Sequence, residues 1–122
     1  MTSMQVEIRV MLKDDHGRSF VGIGIIWLLR GIERHRSISS AARDMSLSYP
    51  KALRIIKNLE EGLGRQILVR RKGGVGRGGA ELTPFGREFL RRYERMQTRI
   101  SRFAAVAFEK EFARPLPEGG LP

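Results

Sequence analysis

Residues 36–64 read RSISSAARDMSLSYPKALRIIKNLEEGLG, and the order of helix signals in this stretch decides the fold. Ser39 is placed to cap a short helix ending at Asp44, and Ala41 and Ala42 are small enough to let a neighbouring helix come close. Met45, Ser46 and Leu47 make a tight connection, after which Ser48 caps a second helix. Pro50 falls in the first turn of that helix, where backbone N–H groups lack intrahelical partners, so losing one costs little. Ala52, Ile56, Leu59 and Leu63 recur at three- and four-residue steps as one apolar stripe, and Gly64 closes the helix. Tyr49, Lys51, Arg54 and Lys57 fall opposite that stripe, and the spacing also turns Leu53 outward.

Towards the N-terminus, Val6, Ile8, Val10 and Leu12 alternate with Glu7, Arg9, Met11 and Lys13, the two-residue period of a strand with one buried face. DDHGRS at 14–19 is a turn, and residues 20–35 then read as a helix that is apolar on nearly every side. Such a helix needs cover on several faces, more than a small domain usually arranges alone. A second subunit is expected to supply it, against Ile25, Trp27 and Leu28.

Towards the C-terminus, QILVRRK at 66–72 and AELT at 80–83 read as two strands around a loop, 73–79, that is glycine except for Val75 and Arg77. The hairpin is expected to carry a flexible basic tip. Thr83 then caps a last helix with Pro84 at its first position. Phe85, Phe89, Tyr93, Met96, Ile100, Phe103 and Ala107 follow in steps of four and three, a seam suited to another helix. From 84 to 112 this helix would run roughly 43 Å at about 1.5 Å per residue, long enough to project from a domain of this size. Residues 114–122, with three prolines and two glycines, are expected to be disordered.

Composition narrows the function. The chain has 122 residues, enough for one domain, with 23 Lys and Arg against 13 Asp and Glu, a net charge of +10. Nucleic acid is the first anionic partner to consider and an acidic membrane surface the second. The apolar run at 20–29 is too short for a membrane span and too far from the N-terminus for a secretion signal, so a cytoplasmic protein without membrane contact is expected. With no cysteine and only His16 and His35, neither a metal nor another cofactor is expected, and no small-molecule ligand is evident. Gly74, Gly76 and Gly79 satisfy G-x-G-x-x-G, but a strand rather than a helix follows them, which removes the dinucleotide reading. No Ser-His-Asp or Cys-His set occurs, and Glu60 with Glu61 reads as a helix end rather than an acid-base pair, so no enzyme is expected.

The expected fold is therefore mainly α with a small β component: a winged helix-turn-helix domain at 1–82, a long dimerisation helix at 83–113 and a tail at 114–122. Residues 48–63 form the recognition helix and 66–83 the wing. The expected partner is double-stranded DNA. Expected contacts are Ser39, Ser48, Tyr49, Pro50, Lys51, Leu53, Arg54 and Lys57 from the two helices, with Arg71, Lys72, Gly74 and Arg77 from the wing. Leu53 suits a thymine methyl or a sugar. The expected homodimer joins through Ile25, Trp27 and Leu28 of the first helix and Phe89, Tyr93, Met96, Ile100 and Phe103 of the last. Arg87, Arg91, Arg92, Arg95, Arg99 and Arg102 read as the solvated side of that last helix. Two rival readings are a nucleoid-type binder without site preference and a protein-interaction module without DNA binding.

Four segments together resemble the N-terminal DNA-binding domain of the ModE family of molybdate-responsive regulators and, more distantly, LysR-type regulators. They are SISSAA at 37–42, LSY at 47–49, ILV at 67–69 running into the glycine-rich loop, and LTPFGR at 82–87. The resemblance covers about residues 6–108. It implies a dimeric winged helix on a palindromic operator, with Ser48, Tyr49, Lys51 and Arg54 at the start of the recognition helix and 72–79 as the wing. Pro50 gives that helix a LysR-like opening. ModE-like proteins continue into a molybdate-binding region, so a stand-alone form lacking that region is expected, linked to molybdate metabolism, with the question of whether it senses molybdate left open.

Overall fold

The computed structural model describes residues 3–71 and 79–121. In order they form β1 (Leu12–Lys13), β2 (Ser19–Val21), α1 (Ile23–His35), α2 (Ile38–Asp44), α3 (Tyr49–Leu63), β3 (Leu68–Arg71), β4 (Gly79–Leu82) and α4 (Pro84–Phe112). The fold is mainly helical, with two antiparallel strand pairs, β1 with β2 and β3 with β4.

The N-terminal region departs from the sequence pattern twice. Only Leu12 and Lys13 of the alternating segment enter a ladder, with Leu12 opposite Val21. Residues 8–10 rest instead on α4, where the Gln97 side chain takes the place of a partner strand: Val10 N–H donates to Gln97 Oε1 at 3.0 Å and Gln97 Nε2 donates to the Ile8 carbonyl. Asp14 closes the following turn by accepting the N–H groups of His16 and Arg18, each at 2.9 Å. The Arg18 N–H does most to hold the Asp14 carboxyl below its usual range. The first helix begins at Ile23 rather than residue 20, because Phe20 belongs to β2.

The core is one cluster in which Leu28, Leu29 and Ile32 of α1 meet Ala41 and Ala42 of α2, Leu59 of α3, Ile67, and Leu90 of α4. Small residues set the helix spacing: a Cβ on Gly31 would lie 3.0 Å from that of Ala41, where α1 crosses α2. His35 Nε2 lies 2.7 Å from Asp44 Oδ2 and joins the same two helices at their far ends. Arg36, in the left-handed region at φ 54°, turns the chain between them, and its carbonyl accepts Ala80 N–H at 3.0 Å, so the turn extends the edge of β4.

The chain covers its own apolar first helix more completely than its sequence implies. Leu28 is fully buried in the core, so it is removed from the expected subunit interface, and Ile25 is half-buried. Trp27 remains 54% exposed. Tyr93 is likewise removed: it is 2% exposed, and its hydroxyl donates to the Val10 carbonyl under the N-terminal segment. Gly86, Leu90 and Tyr93 bury the first part of α4 in the same core as the helix-turn-helix. Beyond them α4 exposes Ile100, Phe103 and Val106. No helix or strand follows Phe112 among the described residues.

Candidate nucleic-acid interface

The interface is built on α2 and α3. Ser37, rather than Ser39, caps α2: its Oγ accepts Ser40 N–H at 3.1 Å while its backbone is extended, and Ser39 is exposed one residue inside the helix. Any of three nearby serines fits the cap by type, and the choice falls to Ser37 because Ile38 must already be helical to bury its side chain. Ser46 takes the left-handed conformation, φ 55°, in the turn that follows.

Ser48 Oγ then accepts Lys51 N–H at 3.2 Å, and α3 begins with Pro50 in its first turn. Ala52, Ile56 and Leu59 are buried, which fixes the rotation of α3 and turns Tyr49, Pro50, Lys51, Arg54 and Lys57 to solvent. Among the described residues no ion pair engages Lys51, Arg54 or Lys57. Leu53 is only half outward, since it packs partly on the core. It lies in a groove between α3 and β3, whose apolar floor includes Leu68 and Val69 and whose rim carries Arg54, Lys57 and Arg70.

Glu60 sets the far end of this arrangement. One carboxylate oxygen accepts both Ile67 N–H, at 2.7 Å, and Leu68 N–H, at 3.3 Å, so the last turn of α3 carries the start of the hairpin. Read from sequence as a plain helix end, Glu60 in fact orients β3; the signal available was a carboxylate eight residues before a strand. Opposite it, Thr83 accepts Gly86 N–H at 3.0 Å as the α4 cap and donates its hydroxyl to the Gln66 carbonyl at 2.8 Å. In the hairpin, Arg71 is paired with Glu81 at 2.6 Å, whereas Arg70, absent from the expected contacts, lies on the α3 groove. Lys72, Gly74 and Arg77 lie outside the described residues.

The arginines of α4 divide by partner. Arg91 and Arg92 contact Glu88 at 2.7 and 2.9 Å, with Arg95 near the same carboxylate. Arg92 is the first cause of a Glu88 carboxyl held below its usual range. Arg87 donates to the Leu82 carbonyl at 3.0 Å and so braces the end of the hairpin.

Two short-linked helices, the second capped and basic on its free face, backed by an antiparallel hairpin, define a winged helix-turn-helix domain. The description "Bacterial regulatory helix-turn-helix protein, lysR family" matches residues 28–87, which run from α1 into the first turn of α4. Residues 28–87 are thus similar to that family over about half of the chain. The chain is 35% identical over 114 residues to the DNA-binding transcriptional dual regulator ModE of Escherichia coli K12, covering 93% of this chain and 42% of that protein. It is 38% identical over 96 residues to the transcriptional regulator ModE of Yersinia pestis, 78% of this chain and 36% of that one. The molybdenum-pterin-binding protein MopB of Rhodobacter capsulatus is 32% identical over 90 residues, 74% of this chain and 33% of that one. The chain thus spans about two-fifths or less of the length of these relatives.

Among solved structures, the BenM DBD in complex with benA site 1 DNA superposes with a TM-score of 0.57 at 23% identity, over 79% of this chain and all of that one. The CbnR DBD in its DNA complex gives 0.52 at 22%, over 76% and 97%. At these identities the likeness is one of fold.

Proposed function

We propose that the chain is a sequence-specific DNA-binding transcription regulator that acts as a homodimer, with α3 in the major groove and the glycine-rich hairpin tip along the backbone and minor groove. The observation that carries this reading is the free basic face of α3: Lys51, Arg54 and Lys57 are exposed beside the capped start of a helix whose opposite stripe is buried. Phosphate contacts from such cations supply most of the affinity, and side chains reaching base edges supply the choice of site. Two copies related by a two-fold axis present their recognition helices to successive major grooves, about 34 Å apart.

The exposed apolar residues of α4, Ile100 and Phe103 with half-buried Met96 and Phe89, supply the subunit contact, joined by Trp27 of α1. Two relatives carry molybdenum in their names, the molybdenum-pterin-binding protein MopB and the molybdenum transport protein ModE of Azotobacter vinelandii, which supports molybdenum physiology as the setting of the genes this chain controls. No described helix is long and apolar enough to cross a membrane. The regulator works where the DNA is, in the cytoplasm, by binding rather than by catalysis.

Selection of bound genomic fragments by the purified chain, followed by footprinting, tests the reading. Discrete protected sites with two-fold symmetry are expected. Uniform coverage would indicate a packaging protein, and an absence of salt-sensitive duplex affinity would indicate a module that has no DNA partner.

A further inference from the structure

The N-terminal segment has one used edge and one open edge. Ile8, Val10 and Leu12 are half-buried, while Glu7, Arg9 and Met11 are exposed, the alternation of an extended chain. Over residues 6–10 the backbone contacts lie on even-numbered residues, Ile8 and Val10 with Gln97 and Val10 with Tyr93, before the ladder with β2 begins at Leu12 and Lys13 with a shift of register. In an extended chain, successive residues turn their N–H and C=O groups to opposite edges. The backbone groups of Glu7 and Arg9 therefore face away from α4, and among the described residues no hydrogen bond reaches them. An edge of this kind is a template for another strand.

We propose that this edge pairs with the same edge of a second copy, as an antiparallel two-stranded ribbon whose two-fold axis passes through Ile8. It rests on the homodimer proposed above and names a contact within it. The register follows from charge and side-chain type. Hydrogen-bonded pairs must join odd residues to odd residues, so the axis passes through a residue. An axis at Glu7 sets that carboxylate against its own copy, and an axis at Arg9 does the same with guanidinium groups. An axis at Val10 sets Val6 against Asp14. Only the axis at Ile8 places Glu7 opposite Arg9 of the partner subunit, twice by symmetry, and Val6 opposite Val10 of the partner subunit. Unlike charges and β-branched pairs directly across an antiparallel ribbon both stabilise it. Val6, 37% exposed in the single subunit, is covered by this pairing. The Glu7 and Arg9 side chains already meet within one subunit at 3.1 Å, and the ribbon extends that pair into four alternating charges on one face.

A chain without cysteine makes the test direct. The axis at Ile8 puts the two copies of that residue in a non-hydrogen-bonded pair with Cα atoms about 4.5 Å apart, within disulfide reach. Ile8→Cys in the full-length chain is expected to form a covalent dimer on mild oxidation, whereas Glu7→Cys and Val10→Cys are not. In parallel, Glu7→Arg and Arg9→Glu are each expected to weaken dimerisation about tenfold by sedimentation, and the double variant to regain most of the loss. Linkage through residue 7 or 10 in place of 8, or a double variant no better than the singles, would overturn the ribbon. A wild-type dimer that binds discrete DNA sites while Ile8→Cys stays unlinked would overturn the ribbon alone. A wild-type chain with no salt-sensitive duplex binding would instead overturn the DNA-binding reading.

Discussion

Glu60 Oε2 accepts the Ile67 N–H at 2.7 Å, a bond that ties the last turn of α3 to the first residues of the hairpin. The same oxygen takes Leu68 N–H, so truncating the side chain leaves two partly buried donors without a partner. Glu60→Ala is expected to destabilise the fold by about 1–3 kcal/mol, and Glu60→Gln, which keeps an acceptor, by about 1 kcal/mol. Denaturant titration measures the loss. Faster hydrogen exchange at the Ile67 and Leu68 amides, with little change in the α1 amides, would locate it at this joint; uniform acceleration would deny the joint any special role.

Gly86 marks where α4 crosses the hairpin. A Cβ there would lie 2.6 Å from the Ile67 carbonyl oxygen and 3.2 Å from its Cγ2. The nearest atom is backbone and cannot rotate away, so the clash outweighs the better helix propensity of alanine. Gly86→Ala is expected to cost about 1–3 kcal/mol. Gly24→Ala in α1, where an added Cβ meets nothing within 4 Å, is expected to be neutral or to stabilise by up to about 1 kcal/mol. The thermal midpoint of Gly86→Ala should fall while that of Gly24→Ala holds or rises, and equal destabilisation would remove the packing argument.

The elements legible in the sequence were those whose signals lie within a few residues of one another. Ser48, Pro50 and Gly64 bracket α3, and Thr83 with Pro84 starts α4, because caps and first-turn prolines act through local backbone groups. The exposure of Lys51, Arg54 and Lys57 follows from the buried stripe of the same helix. What was not legible depended on partners far along the chain. Leu28 and Tyr93 fit an apolar seam by spacing, yet their own subunit takes both into its core. Residues 6–12 carry a strand pattern, but their main partner is the Gln97 side chain, 87 residues beyond Val10, which no periodicity announces. Ser37 and Ser39 differ as caps only through the burial of Ile38 between them.

Tyr93 gives the fold an alkaline limit. Burial pushes its phenol above the usual value of 10.0, and its hydroxyl donates to the Val10 carbonyl. The folded state thus holds this proton more tightly than the unfolded chain. Its contribution to stability is complete below about pH 10 and is lost as the pH rises through the raised folded value. Tyr93→Phe is expected to lose about 1 kcal/mol at pH 7, for the missing hydrogen bond, and to show a shallower fall in stability above pH 10 than the wild type. Comparing the two proteins cancels the lysines that titrate in the same range. Parallel profiles from pH 9 to 11 would show that the phenol does not contribute.

Arg54 and Lys57 sit one turn apart on the free face of α3, and the proposed function assigns them different work. Arg54 is nearer the capped start of the helix, the end that the proposed docking sets deepest in the major groove, and its planar guanidinium is assigned to base edges. Lys57 is a turn further on, where a point charge meets phosphate. Arg54→Ala is expected to cost about 1–3 kcal/mol of binding to the selected site and far less on random duplex, narrowing the ratio between them. Lys57→Ala should weaken both by similar factors and lower the slope of log affinity against log salt by about one. Fluorescence anisotropy over a range of salt concentrations reads all four quantities. If Arg54→Ala weakens site and random duplex equally, its role is that of a phosphate contact, and the choice of sequence must lie elsewhere on α2, α3 or the wing.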